Sequence, residues 1–386
     1  LNLSRAKPFR VAIPQEALDD LRARLKRARL PDEITDSGWR YGTNLAYIKE
    51  LLDYWRDSYD WRLHEQELNR LSHYTAEVEG LEIHFIHQIG QGPALKPLLM
   101  LHGWPGSIYE FMRIMPLLTD PAAHGASADE AFTVVAPSLP GYGFSERPRV
   151  SGMNVAAIAE IMFKLMTEVL GYQRFFAQGG DWGAVIASRL AWAHPQHVVG
   201  LHLNMVGAFP AQGRNFSNGS EEEGQFLKEA ERFRHVEAGY QAIQGTKPQT
   251  LAYGLNDSPL GLAAWIVEKF RTWSDCAGEI ERCFTKDQLL TNILIYWFTE
   301  TIGSSVRLYR EERRRPWRLA QGEKVGVPTA LAVFPKEILR PPRSWVERLY
   351  DLRRWTEMTS GGHFAAMEQP EALAEDVRAF ALELNS

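Results

Sequence analysis

The sequence holds 386 residues, more than one ordinary core of roughly 100–200 residues, so a core with appended pieces is expected. Hydrophobic residues make up 45% and charged ones 24%, an ordinary balance for a folded soluble protein. A net charge near −5 gives no electrostatic ground for nucleic acid or an anionic membrane as partner.

The start, LNLSRAKPFR, shows no signal-peptide core. Ile13, Leu18, Leu21 and Leu25 then recur at near-helical spacing, and Leu45, Ile48, Leu51, Leu52 and Trp55 do the same. Past a turn at Gly80 the period changes, and 81–86 alternates as a strand does. The runs 98–103 and 132–139 are short, apolar and bounded by Gly and Pro, as buried parallel strands are. Neither approaches the ~20 residues that span a bilayer. A helix around Val155–Val169, a strand at Phe175–Gln178, a helix at Ala184–His194 and a strand at Val199–Met205 follow. This alternation predicts a mostly parallel sheet covered on both faces.

From 209 to 320 the signals are helical, with the polar, acidic segment Asn215–Glu223 near the start and Cys276 and Cys283 further on. Two cysteines cannot build a disulfide framework, and a reducing, cytoplasmic setting is expected. Alternation resumes at 328–334, continues through a helix and a strand near Trp355–Met358, and ends in a helix with Leu373, Val377, Phe380 and Leu384 on one face. The division is therefore a helical extension (1–80), a first core part (81–208), a helical lid (209–320) and a second core part (321–386). Ligands bind at the carboxyl ends of parallel strands, where such a lid would hang.

Gly179-Gly180-Asp181-Trp182-Gly183 lies between a predicted strand and a predicted helix. It has the spacing and context of the nucleophile elbow G-x-S-x-G, with Asp in place of the hydroxyl residue. A carboxylate is already ionised at neutral pH and can displace at saturated carbon, leaving an ester on the enzyme. An Asp that merely caps the next helix reads the same way. His102-Gly103-Trp104-Pro105 follows a strand where α/β hydrolases place an oxyanion-hole N–H. Gly361-Gly362-His363-Phe364 follows the last strand, so His363 fits the general base in the order nucleophile, acid, base. For the acid, Glu337 just beyond the strand at 330–334 is the best candidate. The rival position offers only Asn204, and Asp351 and Glu357 lie before or within the last strand.

The stretches HGWPGS (102–107), SLPGYGFSERP (138–148), GGDWG (179–183) and GGHFAAMEQP (361–370) resemble the microsomal-type epoxide hydrolases. So does the block 239–273, and the similarity covers nearly the whole chain. The resemblance implies an α/β-hydrolase fold with Asp181 as nucleophile, His363 as water-activating base and Glu337 as its orienting acid. It further implies Tyr240 and Tyr309 as holders of the epoxide oxygen, and the backbone N–H groups of Trp104 and Trp182 as the oxyanion hole. A phenol stays protonated at neutral pH and can donate to a nascent alkoxide. The family's membrane-bound members carry an N-terminal anchor, and none is expected here.

The expected reaction converts a small-molecule epoxide and water to a vicinal diol. No cofactor or metal is called for: His84 and His87 fall on opposite strand faces, and no ligand cluster is visible. A haloalkane dehalogenase would use the same Asp–His chemistry but needs halide-binding N–H donors in the lid. A silent binding protein on this fold would show a broken triad. A homodimer is left open.

Overall fold

The computed structural model describes residues 5–94 and 96–384, so the first four residues of LNLSRAKPFR lie outside it. The helical periods near the start form α1 (Gln15–Lys26), α2 (Leu45–Asp57) and α3 (Trp61–Leu68). In α2 the side chain of Asn44 accepts from the Tyr47 N–H, and Ile48, Leu51, Leu52 and Trp55 turn inward. The extension is expected to be helical from its periodicity, but it is only partly so. It also holds β1 (Lys7–Phe9) and β2 (His73–Val78). A three-residue strand has no period of its own, and β2 is buried on both faces, so alternation signals neither.

A turn at Glu79 and Gly80, both at positive φ, joins β2 to β3 (Leu81–Gln88). That backbone matches the twist of a tight hairpin. The sheet continues through β4 (Pro97–Leu101), β5 (Thr133–Pro137), β6 (Phe175–Gly179), β7 (Val198–Leu203), β8 (Val325–Val333) and β9 (Tyr350–Glu357). Its nine strands lie in the order β1-β2-β3-β5-β4-β6-β7-β8-β9. The first four in that order pair antiparallel, and all pairs from β5 to β9 are parallel.

Side-chain alternation sorts the sheet into two cores. Leu99 and Leu101 of β4 join one with α5 (Val155–Lys164) and α6 (Asp181–Ala193). Leu98 and Met100 join the other with α4 (Ile114–Thr119), α14 (Ala365–Glu368) and α15 (Pro370–Glu383). Helix α6 begins three residues before its apolar period, because Gly180 stands at the cap and Asp181-Trp182-Gly183 carries no apolar stripe. Strand β9 begins at Tyr350 rather than near Trp355, its first half masked by Asp351, Arg353 and Arg354 on a half-buried edge.

Between β7 and β8 the chain leaves the sheet and returns at one point, where Pro210 pairs with Leu319. The excursion carries α7 (Glu221–Val236), α8 (Gly239–Gln244), α9 (Pro248–Asp257), α10 (Pro259–Thr272), α11 (Lys286–Thr299) and α12 (Ile302–Arg314). Ser220 caps α7, and the fully buried Glu223 pairs with Arg348 at 2.8 Å, beside α13 (Arg343–Glu347). The extension packs on the excursion: the Tyr54 hydroxyl donates to Asp287 at 2.7 Å and Thr43 to the Ala264 carbonyl at 2.6 Å. No helix among the described residues is long and apolar enough to cross a membrane.

Asp376 of α15 ties three elements together under the sheet. Its carboxylate lies 3.0 Å from His202 Nε2 and 2.7 Å from both Arg354 Nε and the Thr356 hydroxyl. Burial resists its ionisation, but these partners outweigh burial and hold the carboxyl below the usual range. A depressed carboxylate contributes stability above its unfolded pKa, and that contribution is lost as pH falls. Asp376→Ala should therefore lower the unfolding free energy by about 3 kcal/mol at neutral pH, with His202 losing its carboxylate and Arg354 left with Glu383 alone among these partners. Urea unfolding at pH 7 and again below pH ~3 checks this, since the difference between variant and parent should shrink in acid.

Candidate active site

Strand β6 ends at Gly179 and α6 opens at Asp181, which sits at φ 48°. A non-glycine residue there is strained, and such strain is stored where a side chain must be thrust out of a turn. The turn is tight because Gly183 packs on β4: a Cβ at that position would stand 1.9 Å from the Leu101 carbonyl oxygen. Asp181 Oδ1 accepts from the Trp104 N–H at 2.8 Å, and Oδ2 lies 3.3 Å from His363 Nε2. The Trp182 N–H is in the first turn of α6, where amides have no intrahelical acceptor.

His363 is held by its own backbone, whose N–H donates to the Trp273 carbonyl at 2.9 Å. The loops after β8 and β9 run side by side through a parallel bridge between Lys336 and Gly362. That bridge brings Glu337 Oε1 to 2.7 Å from His363 Nδ1, while the Ile338 N–H donates to the same oxygen at 2.6 Å. The rival positions do not serve His363: Asn204, an amide, accepts from Gln178, Asp351 pairs with Arg353, and Glu357 accepts from Trp355. His102 is structural, its Nε2 accepting from the Leu139 N–H and its Nδ1 meeting the Gly103 carbonyl. Burial, opposed by its bond to the Gly103 carbonyl and by Asp181, pushes its pKa down to about 4.

Burial alone would keep the His363 imidazole neutral. The Glu337 and Asp181 carboxylates overcome that and raise it well above its ordinary value. Tyr240 of α8 and Tyr309 of α12 come together over Trp104, with the Tyr240 ring stacked on the indole at 5.4 Å and the Tyr309 ring edge-on at 5.9 Å. Their own rings lie 5.8 Å apart, and Tyr309 meets Trp182 at 4.8 Å. Burial and the Asp181 charge raise the Tyr240 phenol, and burial with the charges of Tyr240 and Asp181 raises Tyr309, so both keep their protons.

A cavity of about 300 Å³ is lined by Asp181, Trp182, both tyrosines and apolar side chains including Val185, Met205 and Phe233. A larger depression, about 970 Å³ around Arg147, Tyr253 and Arg307, includes none of these site residues and is no part of this arrangement. Gln241, whose amide donates to the Tyr240 hydroxyl oxygen at 2.8 Å, was not singled out by sequence; its adjacency to Tyr240 in GYQAIQ was the available signal. Among the described residues no group of three or more His, Cys, Asp or Glu comes together as metal ligands would.

The elbow at the end of β6, on a mostly parallel sheet with a helical excursion before β8, defines an α/β hydrolase. Residues 96–250 match the family model described as alpha/beta hydrolase fold, and residues 6–111 match that described as epoxide hydrolase N terminus. Epoxide hydrolase 1 of Sus scrofa is 44% identical over 97% of this chain and 88% of its own length. Juvenile hormone epoxide hydrolase 2 of Ctenocephalides felis is 36% identical over 96% of this chain and 84% of its own. The solved structure of juvenile hormone epoxide hydrolase from the silkworm Bombyx mori superposes with a TM-score of 0.89 at 33% identity, over 98% of this chain and 95% of that one. That of Aspergillus niger epoxide hydrolase gives 0.87 at 30%, over 100% and 99%. The chain belongs to the epoxide hydrolase family.

The packing of Gly183 against Leu101 sets a test of the elbow. Gly183→Ala forces a methyl into a backbone carbonyl that cannot yield, and overpacking of this kind costs about 1–3 kcal/mol. Thermal unfolding should register that loss, and turnover at a permissive temperature should fall with it as Asp181 shifts from His363.

Proposed function

We propose that Asp181, His363, Glu337, Tyr240 and Tyr309 carry the reaction of this epoxide hydrolase, which opens an epoxide with water to a vicinal diol. The observation that supports this most directly is the single line of contacts from Glu337 through His363 to Asp181, at 2.7 and 3.3 Å, ending on the cavity that the two tyrosines line. Asp181 attacks an epoxide carbon, the C–O bond breaks, and a tyrosine gives its proton to the departing oxygen. The product is an alkyl ester of Asp181 and a phenolate. Gln241 already donates to the Tyr240 oxygen, which leaves the phenol proton free for the epoxide and supports the phenolate afterwards.

Alkylation also changes His363. The ester is neutral, so one of the two carboxylates that hold the imidazolium is gone, and the imidazole releases its proton to restore the phenol through the site. Neutral His363 then takes a proton from water, and hydroxide attacks the ester carbonyl. The oxyanion is received by the N–H groups of Trp104 and Trp182. Departure of the alkyl oxygen as the diol hydroxyl regenerates the Asp181 carboxylate beside imidazolium. The apolar lining and the volume, at the small end of ligand cavities, favour a compact hydrophobic epoxide. The free thiols Cys276 and Cys283 fit a cytoplasmic setting.

His363→Gln should still alkylate but not release product. Intact-mass spectrometry after mixing with an aryl epoxide should show protein plus one whole substrate, mapped to the peptide holding Asp181. Normal turnover without adduct would remove His363 as base. In the parent, hydrolysis needs neutral imidazole, so its rate should fall as pH drops through the His363 pKa of the ester. Ester should therefore accumulate on the acid side.

Tyr240→Phe and Tyr309→Phe should each slow alkylation by about 10²-fold or less, because a second donor remains. The double variant should fall far below either one. Stopped-flow tryptophan fluorescence reads this step, and a double variant no slower than the singles would show that the oxygen is held by other groups.

A further inference from the structure

Hydrolysis of an ester at Asp181 requires a water fixed between the carbonyl carbon and the base, on a side the substrate does not fill. A second, much smaller cavity of about 20 Å³ meets that description. Asp181 is the one residue it shares with the 300 Å³ cavity, and its remaining wall includes His363, Glu110, Gln178 and Asn204. The volume suits one water, and the polar lining supplies the two or more partners that a buried water needs.

Glu110 has no part in the cycle described so far. It lies on the 3-10 turn Ile108–Phe111 that follows the Trp104 loop. Its carboxyl fills the space beside Gly106, where a Cβ would stand 1.6 Å from Oε1; the Asp181 carboxyl fills the space beside Gly103 in the same way, 2.1 Å from a Cβ there. One short loop thus seats both carboxyls. The N–H groups of Gly103 and Ser107 serve Glu110, and the N–H of Trp104 serves Asp181.

We propose that the small cavity is the site of the hydrolytic water and that Glu110 is the residue that orients it. The water donates one hydrogen to His363 Nε2 and the other to the Glu110 carbonyl oxygen, which turns a lone pair toward Cγ of the Asp181 ester. The O–H bond to His363 breaks, the oxygen bonds to Cγ, and the Cγ–O bond to the alkyl group breaks. The alkyl oxygen leaves with one proton as a diol hydroxyl, Asp181 returns to carboxylate, and His363 keeps the proton taken from water. Withdrawal from solvent pushes the Glu110 carboxyl up to about 8, with His363 opposing and Asp181 adding to the rise. At neutral pH it is then an uncharged acid that accepts a hydrogen bond without competing with His363 for the proton.

The inference rests on the roles given above to Asp181 and His363, and single-turnover kinetics keep the two apart. In Glu110→Leu, similar in bulk but without an acceptor, alkylation should stay within about threefold of the parent while ester hydrolysis falls by about 10²-fold, the penalty for a misplaced reactant. Intact mass should then show accumulated ester at Asp181. Glu110→Gln retains a carbonyl acceptor and should recover hydrolysis to within about tenfold of the parent. Equal losses in both steps would assign Glu110 a structural role and overturn the proposal, as would unchanged hydrolysis in the Leu variant. Should the Leu variant not fold, Glu110→Ala with the same two-step readout decides by the same criteria. If no ester forms in the parent or in His363→Gln, the roles of Asp181 and His363 fail instead.

Discussion

The contact between the Asp181 carboxylate and the His363 imidazole, 3.3 Å apart in a largely enclosed site, governs the rest of the design. Two carboxylates and an imidazole taken from water are costly unless each charge is answered. Here Glu337 and Asp181 flank His363, and the Trp104 and Ile338 N–H groups donate to Asp181 Oδ1 and Glu337 Oε1. Those amides sit on loops after β4 and β8, while the carboxylates sit after β6 and β8 and the imidazole after β9. Most of the parallel half of the sheet is therefore committed to holding one row of atoms. In the proposed cycle the same charges set the timing, because converting Asp181 to a neutral ester is what makes His363 a base.

Much of this arrangement is legible in the sequence. The elbow, the HGWP turn and the GGHF turn each combine a reactive residue with glycines at a strand end, and that combination survives in sequence because the backbone demands it. Glu337 was reached by position alone, and the bridge from Lys336 to Gly362 is the physical reason that position works. Tyr240 and Tyr309 carry no local signature, since a tyrosine on a helix looks the same whether it packs or reacts. Only the family resemblance selected them.

What escaped has a common cause. Strands β1 and β2 are fixed by their partners in the sheet, not by a period of their own. Glu110 is a lone acid in an otherwise apolar run, with Arg113 close behind, and reads as a surface residue of a helix. Its meaning comes from Gly106, whose missing side chain leaves room for the carboxyl, and no spacing rule connects the two. Gln241 was likewise a neighbour of a selected residue rather than part of a motif.

The excursion between β7 and β8 leaves and rejoins the sheet at the single pairing of Pro210 with Leu319. The entropy of closing a loop grows only slowly with its length, so stretches of the excursion that make no bond to the sheet loops, unlike Asn292 on the Pro105 carbonyl or Trp273 on His363, can lengthen or shorten at little cost to the sheet. The proposed triad of Asp181, His363 and Glu337 lies on the sheet side of that pairing, whereas most of the apolar wall of the 300 Å³ cavity that is not on α6 comes from beyond it or from its rim. Natural or laboratory selection can thus remould what enters the enzyme through the apolar wall of this module, as long as Tyr240, Tyr309 and the Trp273 carbonyl that holds His363 keep their places.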